Sequence, residues 1–237
     1  MCTVSFIPLE NSNDFFFTST RDENPNRQSS AFEFHEEKQL FYAADPMNLG
    51  TWFAISPQGN FACLLNGAYQ NHIKKEFYKK SRGLVILEIL RAENPLGFIK
   101  NYDFSEIEPF TLILYLQKDF FQLKWDGENL DVEPLQKTLP KIWSSVTLYN
   151  QTVRQKRETW FSDFLNLQKQ KMDTNSILHF HMNAGEEFPE ENINMCRNEG
   201  KMRSLSICSL EKKGSCILVK YLDLLDNTTK KLKIELV

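Results

Sequence analysis

The chain has 237 residues, a formal net charge of −3 at pH 7, 41% hydrophobic and 25% charged residues. That balance is typical of a soluble globular protein with one well-buried core, and it excludes a nucleic-acid surface. The one dense basic stretch, Arg154 to Arg157, reads as the solvated flank of a helix. No run approaches the ~18 apolar residues of a spanning helix, so no integral membrane segment is expected.

In chain order, Thr3 to Ile7 reads as a strand, Asn11 to Asp14 as a polar turn, and Phe15 to Thr20 as the returning strand of a hairpin. Asp22 to Ser30 is rich in Asn, Arg, Pro and Ser and reads as loop, and His35-Glu36-Glu37 as polar surface loop. Gly50 to Ser56 and Phe61 to Leu65 flank Pro57-Gln58-Gly59-Asn60 as the clearest hairpin of the sequence. Ser81 caps a helix with Leu84, Leu87, Ile89 and Leu90 on one face, limited by Pro95. Strands follow at Phe110 to Leu116, Phe120 to Trp125 and Ile142 to Leu148. The longest helix starts at Thr152, with Val153, Trp160, Phe164 and Leu167 on its stripe. A shorter helix spans Ile177 to Met182 and ends near Gly185. Glu186 to Lys201 is acidic and Asn-rich and reads as an exposed, mobile loop. Three strands close the chain: Ser204 to Leu210, Cys216 to Leu225 and Lys231 to Val237.

Strands and helices come in blocks rather than as alternating βαβ units. Antiparallel sheets with helices stacked outside them fit that order, in one domain over residues 1–237. Several of the 19 phenylalanines fall in short strand-like runs such as Phe15-Phe16-Phe17 and read as packing between layers. Five cysteines without CxxC or zinc-like spacing, and no basic-then-apolar leader, predict reduced thiols, no metal site and a cytoplasmic location.

Chemistry concentrates at the second residue. Removal of Met1 would leave Cys2 carrying both a thiol and a free α-amine. The thiolate is the nucleophile. An amine titrating near ~7.7–8.0 can take the thiol proton without a histidine. A hairpin of this length returns Arg21 and Asp22 towards Cys2. There a guanidinium would favour the thiolate and a carboxylate could orient the amine. Asn66, before Gly67, could donate to a developing oxyanion, although Asn-Gly alone is a turn signal. His179 and His181 are two apart on a helix and make a poor metal pair.

The set Met1-Cys2, Arg21-Asp22-Glu23, Gly50-Thr51-Trp52-Phe53, Leu65-Asn66-Gly67 and Ser81-Arg82-Gly83 resembles the NRDE family, which includes the transport and Golgi organisation 2 proteins. Trp143-Ser144-Ser145 and Met202 to Ile207 extend the resemblance over nearly the whole chain. It implies the N-terminal nucleophile hydrolase fold, an α+β four-layer αββα sandwich of two antiparallel sheets flanked by helices. It also implies Cys2 as nucleophile, Arg21 and Asp22 around it, and Asn66 as oxyanion donor. Trp52, Arg82 and Ser145 are expected to line the substrate. Ser145 stands where a second asparagine is expected, and Thr20 where the family's name places an asparagine.

Two functions are consistent with these residues. One is an amidohydrolase of linear non-peptide amides such as N-acyl conjugates, needing no cofactor. The other, implied by the resemblance, is a non-catalytic binding or trafficking protein for an apolar ligand, haem or an acyl lipid, on the same scaffold.

Overall fold

The computed structural model of the chain describes residues 2–10, 12–168 and 172–236. It opens with an antiparallel hairpin, β1 (Cys2–Pro8) and β2 (Phe15–Glu23). The strands β3 (Glu33–His35), β4 (Leu40–Tyr42), β5 (Phe53–Ile55) and β6 (Phe61–Asn66) follow. After helices α1 (Arg82–Arg91) and α2 (Pro95–Asn101) come β7 (Phe110–Leu116), β8 (Asp119–Trp125) and β9 (Leu130–Pro134). Then come β10 (Lys141–Ser144), α3 (Gln151–Leu167) and α4 (Thr174–Asn183). The chain closes with β11 (Cys196–Arg197), β12 (Met202–Lys213), β13 (Cys216–Asp223) and β14 (Thr228–Glu235). Among the described residues this is an α+β fold of two antiparallel sheets and four α-helices.

The chain divides into two compact units, Met1–Gln28 with Thr138–Ile234, and Ser29–Lys137 with Glu235–Val237. In the first, the strands run in the order β10-β1-β2-β12-β13-β14, with β11 beside β12. Successive side chains of a strand alternate between faces. Ile7 and Phe16 therefore share one face, where with Ile142 they pack on Phe161 of α3, Ile177 and Phe180 of α4, and Ile193. Asn150 caps α3 by accepting from the Val153 amide, and Asp173 with Ser176 forms a capping box for α4. Gly185, just past α4, lies against the Trp160 indole: a Cβ there would sit 2.3 Å from the ring, at a φ of +77°.

The second unit is a meander, β3 to β9 in sequence order. Its strands bury a run of phenylalanines, with ring centroids 5.9 Å apart for Phe53 and Phe61 and 5.8 Å for Phe61 and Phe120. The two glycines of the Gly50-Thr51-Trp52-Phe53 and Ser81-Arg82-Gly83 motifs meet here. The Thr51 amide donates to the Gly83 carbonyl at 3.2 Å, and a Cβ on Gly83 would lie 2.7 Å from the Thr51 oxygen.

Several elements depart from expectation for local reasons. Pro95 does not merely limit α1; it opens α2, where a residue without an amide hydrogen is suited, and Asn94 caps that helix. The strand expected over Ile142 to Leu148 stops at Ser144, and a turn closes with the Tyr149 amide on the Ser145 carbonyl at 3.0 Å. Glu186 to Lys201 is not a wholly exposed loop: Ile193 and Met195 are buried, and Cys196–Arg197 pairs with β12. His35 belongs to β3 and stacks on Tyr42 with centroids 3.8 Å apart. On α3 the buried stripe is Val153, Arg157 and Phe161, whereas Leu167 is 84% exposed. Arg157 is thus the opposite of a solvated flank. The strands β3, β4 and β9 are short or exposed and lack the apolar alternation that marks the others. Met1, Asn11 and Val237, which the expected amine chemistry, first turn and last strand involve, lie outside the described residues.

Candidate functional site

The hairpin register places Cys2 directly opposite Arg21, with Thr3 opposite Thr20. Residues paired across an antiparallel ladder point to the same face, so Cys2, Arg21 and Ser19 share one face of the sheet. Cys2 and Ser19 are fully buried and Arg21 nearly so. The next strand turn is pinned to the same place: the Ser145 amide donates to the Cys2 carbonyl at 3.0 Å. Arg21 is held by its own Nη1, which donates to the Arg27 carbonyl at 2.8 Å. Beside it Glu23 accepts from the Asn24 amide at 3.0 Å and pairs with Arg27 at 3.1 Å. The Arg21-Asp22-Glu23 motif therefore ends β2 in a fixed conformation.

Burial pushes the Cys2 thiol above its ordinary pKa. The terminal α-amino charge, the Arg21 guanidinium and a hydrogen bond with Ser19 pull it back, while the Asp22 carboxylate adds to the rise. The thiol thus needs a base before it can act as a nucleophile.

The opposite face carries a buried polar network. Asp22 accepts from the Tyr149 hydroxyl at 2.7 Å and from the Ser204 hydroxyl at 2.6 Å. Burial raises the Asp22 pKa, against the Arg157 charge and these two hydrogen bonds. Burial and the Asp22 charge hold Tyr149 well above the usual phenol range, so its hydroxyl remains a donor. Arg157 lies over the Tyr149 ring, 3.5 Å from its centroid. It donates to the Glu191 carbonyl at 3.0 Å, to the Asn192 carbonyl and to the Thr3 hydroxyl. His181 is clamped between the Ser5 hydroxyl at 2.7 Å and the Thr20 hydroxyl at 2.8 Å. Thr20 thus serves the helix side of the sheet rather than the Cys2 side.

The structure places Cys2, Arg21, Asp22 and Ser145 in the first unit, with Cys2 and Arg21 on one face of the sheet and Asp22, expected beside the amine, turned to the other. Asn66, Trp52 and Arg82 belong to the second. Asn66 ends β6 opposite Phe110. It begins no hairpin turn, since the Gly67 amide donates to the Pro109 carbonyl at 3.0 Å and the chain leaves the sheet. Trp52 is buried just before β5, and its carbonyl accepts from the Leu64 amide at 2.7 Å. Arg82 opens α1 and pairs with Glu108 at 3.0 Å while donating to the Pro109 carbonyl at 3.1 Å.

Sequence reading missed Tyr149, Arg157, Ser204 and Ser19. Only Arg157 left a trace: it lies four residues from both Val153 and Phe161, on the apolar stripe. Among the described residues no cluster of three or more His, Cys, Asp or Glu is placed to hold a metal ion. Among the described residues no helix is long and apolar enough to cross a membrane.

Comparison with solved structures shows the same fold at low identity. A Caenorhabditis elegans N-acylethanolamine-hydrolyzing acid amidase ortholog superposes with a TM-score of 0.60 at 11% identity, over 88% of this chain and 92% of that one. An arginine-to-leucine variant of conjugated bile acid hydrolase from Clostridium perfringens gives 0.53 at 8%, over 98% and 92%. A cysteine-to-alanine mutant of that hydrolase gives 0.51 at 8%, over 100% and 98%. No curated protein matches the sequence. Residues 1–223 match the signature of the family described as Transport and Golgi organisation 2, and the chain belongs to that family.

Proposed function

We propose that this protein is an N-terminal cysteine amidohydrolase that cleaves linear, non-peptide C–N amide bonds of N-acyl conjugates. The observation that carries the reading is the register of the first hairpin, which sets a buried Cys2 directly across from Arg21 at the very start of β1. The names of the fold neighbours, an amidase and a bile acid hydrolase, support the reaction class.

In this mechanism removal of Met1 exposes the α-amine of Cys2. The amine takes the thiol proton and the sulfur attacks the amide carbonyl carbon, giving a tetrahedral oxyanion. The C–N bond then breaks, the proton passes from the α-amine to the leaving nitrogen, and a thioester remains on Cys2. Water attacks the thioester, releases the carboxylic acid and returns the proton to sulfur. Arg21 favours the thiolate, and Asp22 fixes the end of β2 through Tyr149 and Ser204. On the family resemblance alone, Asn66 is the oxyanion donor and Trp52, Arg82 and Ser145 contact the substrate.

The test is hydrolysis of a panel of N-acyl amino acids and N-acyl amines by protein lacking Met1. Free amine should appear with the wild type and not with Cys2→Ala. Saturable binding of haem or acyl-CoA by the same processed protein, without turnover of any amide, would replace this reading by carriage of an apolar ligand.

A further inference from the structure

The segment between Asn66 and α1 forms no strand or helix, yet it is tied down at several points. The Gly67 carbonyl accepts from Thr111 at 2.8 Å, His72 meets Glu108 at 3.3 Å, and the Lys79 amide donates to the Glu106 carbonyl at 2.9 Å. Within it the Lys75 amide donates to the Tyr78 hydroxyl at 2.9 Å. Between these ties the chain turns its two large apolar side chains outward: Ile73 is 95% exposed and Phe77 is 73% exposed. Single exposed apolar residues are ordinary. Two on a fastened five-residue stretch, bracketing the exposed Lys74 and Lys75, form a mixed apolar and cationic tip, while Lys79 beyond it pairs with Asp103 at 3.8 Å. Glu76 is the one acidic side chain from residue 70 to 79, although the protein as a whole is acidic.

We propose that this tip docks the protein on an anionic phospholipid surface. Ile73 and Phe77 enter the boundary between headgroups and acyl chains, and Lys74 and Lys75 lie at the level of the phosphates. Apolar insertion and attraction to negative headgroups reinforce each other in such contacts, and each lysine near an anionic leaflet strengthens binding severalfold. Charge complementarity selects a lipid surface over a protein groove: lysines beside protruding Ile and Phe suit a soft layer that solvates both at once. This role is independent of catalysis at Cys2.

The experiment is co-sedimentation of the full chain with vesicles of phosphatidylcholine alone, or mixed three-to-one with phosphatidylserine. The wild type should bind the mixed vesicles at least about tenfold more strongly than the neutral ones and should be released by added salt. Ile73→Ser with Phe77→Ser should lower binding to the mixed vesicles about tenfold or more. Lys74→Glu with Lys75→Glu should abolish the preference for them. Met47→Ser with Leu49→Ser alters another exposed apolar pair, one without flanking lysines, and should leave binding unchanged. Because all these side chains are exposed, the variants should keep the wild-type melting temperature. Failure of the wild type to bind the mixed vesicles would overturn the proposal. So would equal losses in the two serine pairs, or self-association of the wild type that disappears in the Ile73, Phe77 pair.

Discussion

Tyr149 donates its hydroxyl to Asp22 at 2.7 Å, joining the turn after β10 to the motif that ends β2. Both residues are buried, as is Arg157, whose guanidinium covers the Tyr149 ring. The carboxylate offsets a guanidinium otherwise bonded to neutral oxygens. Removing one partner of a buried charged set leaves the other uncompensated. Asp22→Ala should therefore cost about 3–5 kcal/mol of stability, and Tyr149→Phe about 1.5–3 kcal/mol. Urea denaturation monitored by tryptophan fluorescence measures both, and a loss below about 1 kcal/mol for Asp22→Ala would contradict the network.

His181 supplies a pH dependence. Burial, aided by the Arg157 charge, pushes its pKa down to about 3, whereas an unfolded histidine titrates near ~6.5. The unfolded chain thus takes up a proton that the folded chain refuses. The stability associated with His181 is intact above about pH 6.5 and falls as pH drops towards 3, by up to ~1.4 kcal/mol per pH unit. Asp22, whose pKa burial raises, acts in the opposite sense, so the informative quantity is a difference. His181→Gln, which can still bond Ser5 and Thr20, should lose less stability than the wild type between pH 7 and pH 5. Parallel denaturation curves for the two would contradict the assignment.

Much of this architecture was legible from the residues. A strand such as β7 announces itself because both of its faces are buried, so its apolar run is nearly continuous. A short hairpin returns the end of β2 to the start of β1, which is why Arg21 and Asp22 are expected near Cys2; which of them faces the thiol is set by the register, and that pairs Cys2 with Arg21. The polar network was not legible. Tyr149, Ser204 and His181 come from elements far apart in sequence, and nothing local tells a buried serine from a surface one. Arg157 was misread because a guanidinium beside Arg154 and Lys156 looks solvated. Its partners are backbone carbonyls at Glu191 and Asn192, in a stretch whose acidic composition suggested a loose loop.

Two glycine contacts are expected to be intolerant of any side chain. Gly185→Ala would place its Cβ inside the Trp160 ring and hold a left-handed φ, for a loss of about 2–4 kcal/mol. Gly83→Ala would press against the Thr51 backbone oxygen and cost about 1–3 kcal/mol. Thermal unfolding of the two variants checks this. Unchanged melting temperatures would mean that the close approaches relax freely.

Thiol reactivity should separate the five free cysteines. Cys208 is buried, and burial alone drives its thiol far above the ordinary range. Cys63 is also fully buried, whereas Cys196 is exposed. Iodoacetamide on native protein should modify Cys196 first and leave Cys63 and Cys208 untouched until denaturant is added. Peptide mapping measures the order, and early labelling of Cys208 would contradict the packing of β12.

The central claim is that Cys2 is an acyl-accepting nucleophile freed by loss of Met1. Intact mass spectrometry, after brief incubation with an activated N-acyl substrate and acid quenching, tests it directly. The expected result is a chain lacking Met1 and heavier by one acyl group, with the adduct mapping to Cys2 and absent in Cys2→Ala. A chain that retains Met1, or an acyl group found only on other cysteines, would contradict it.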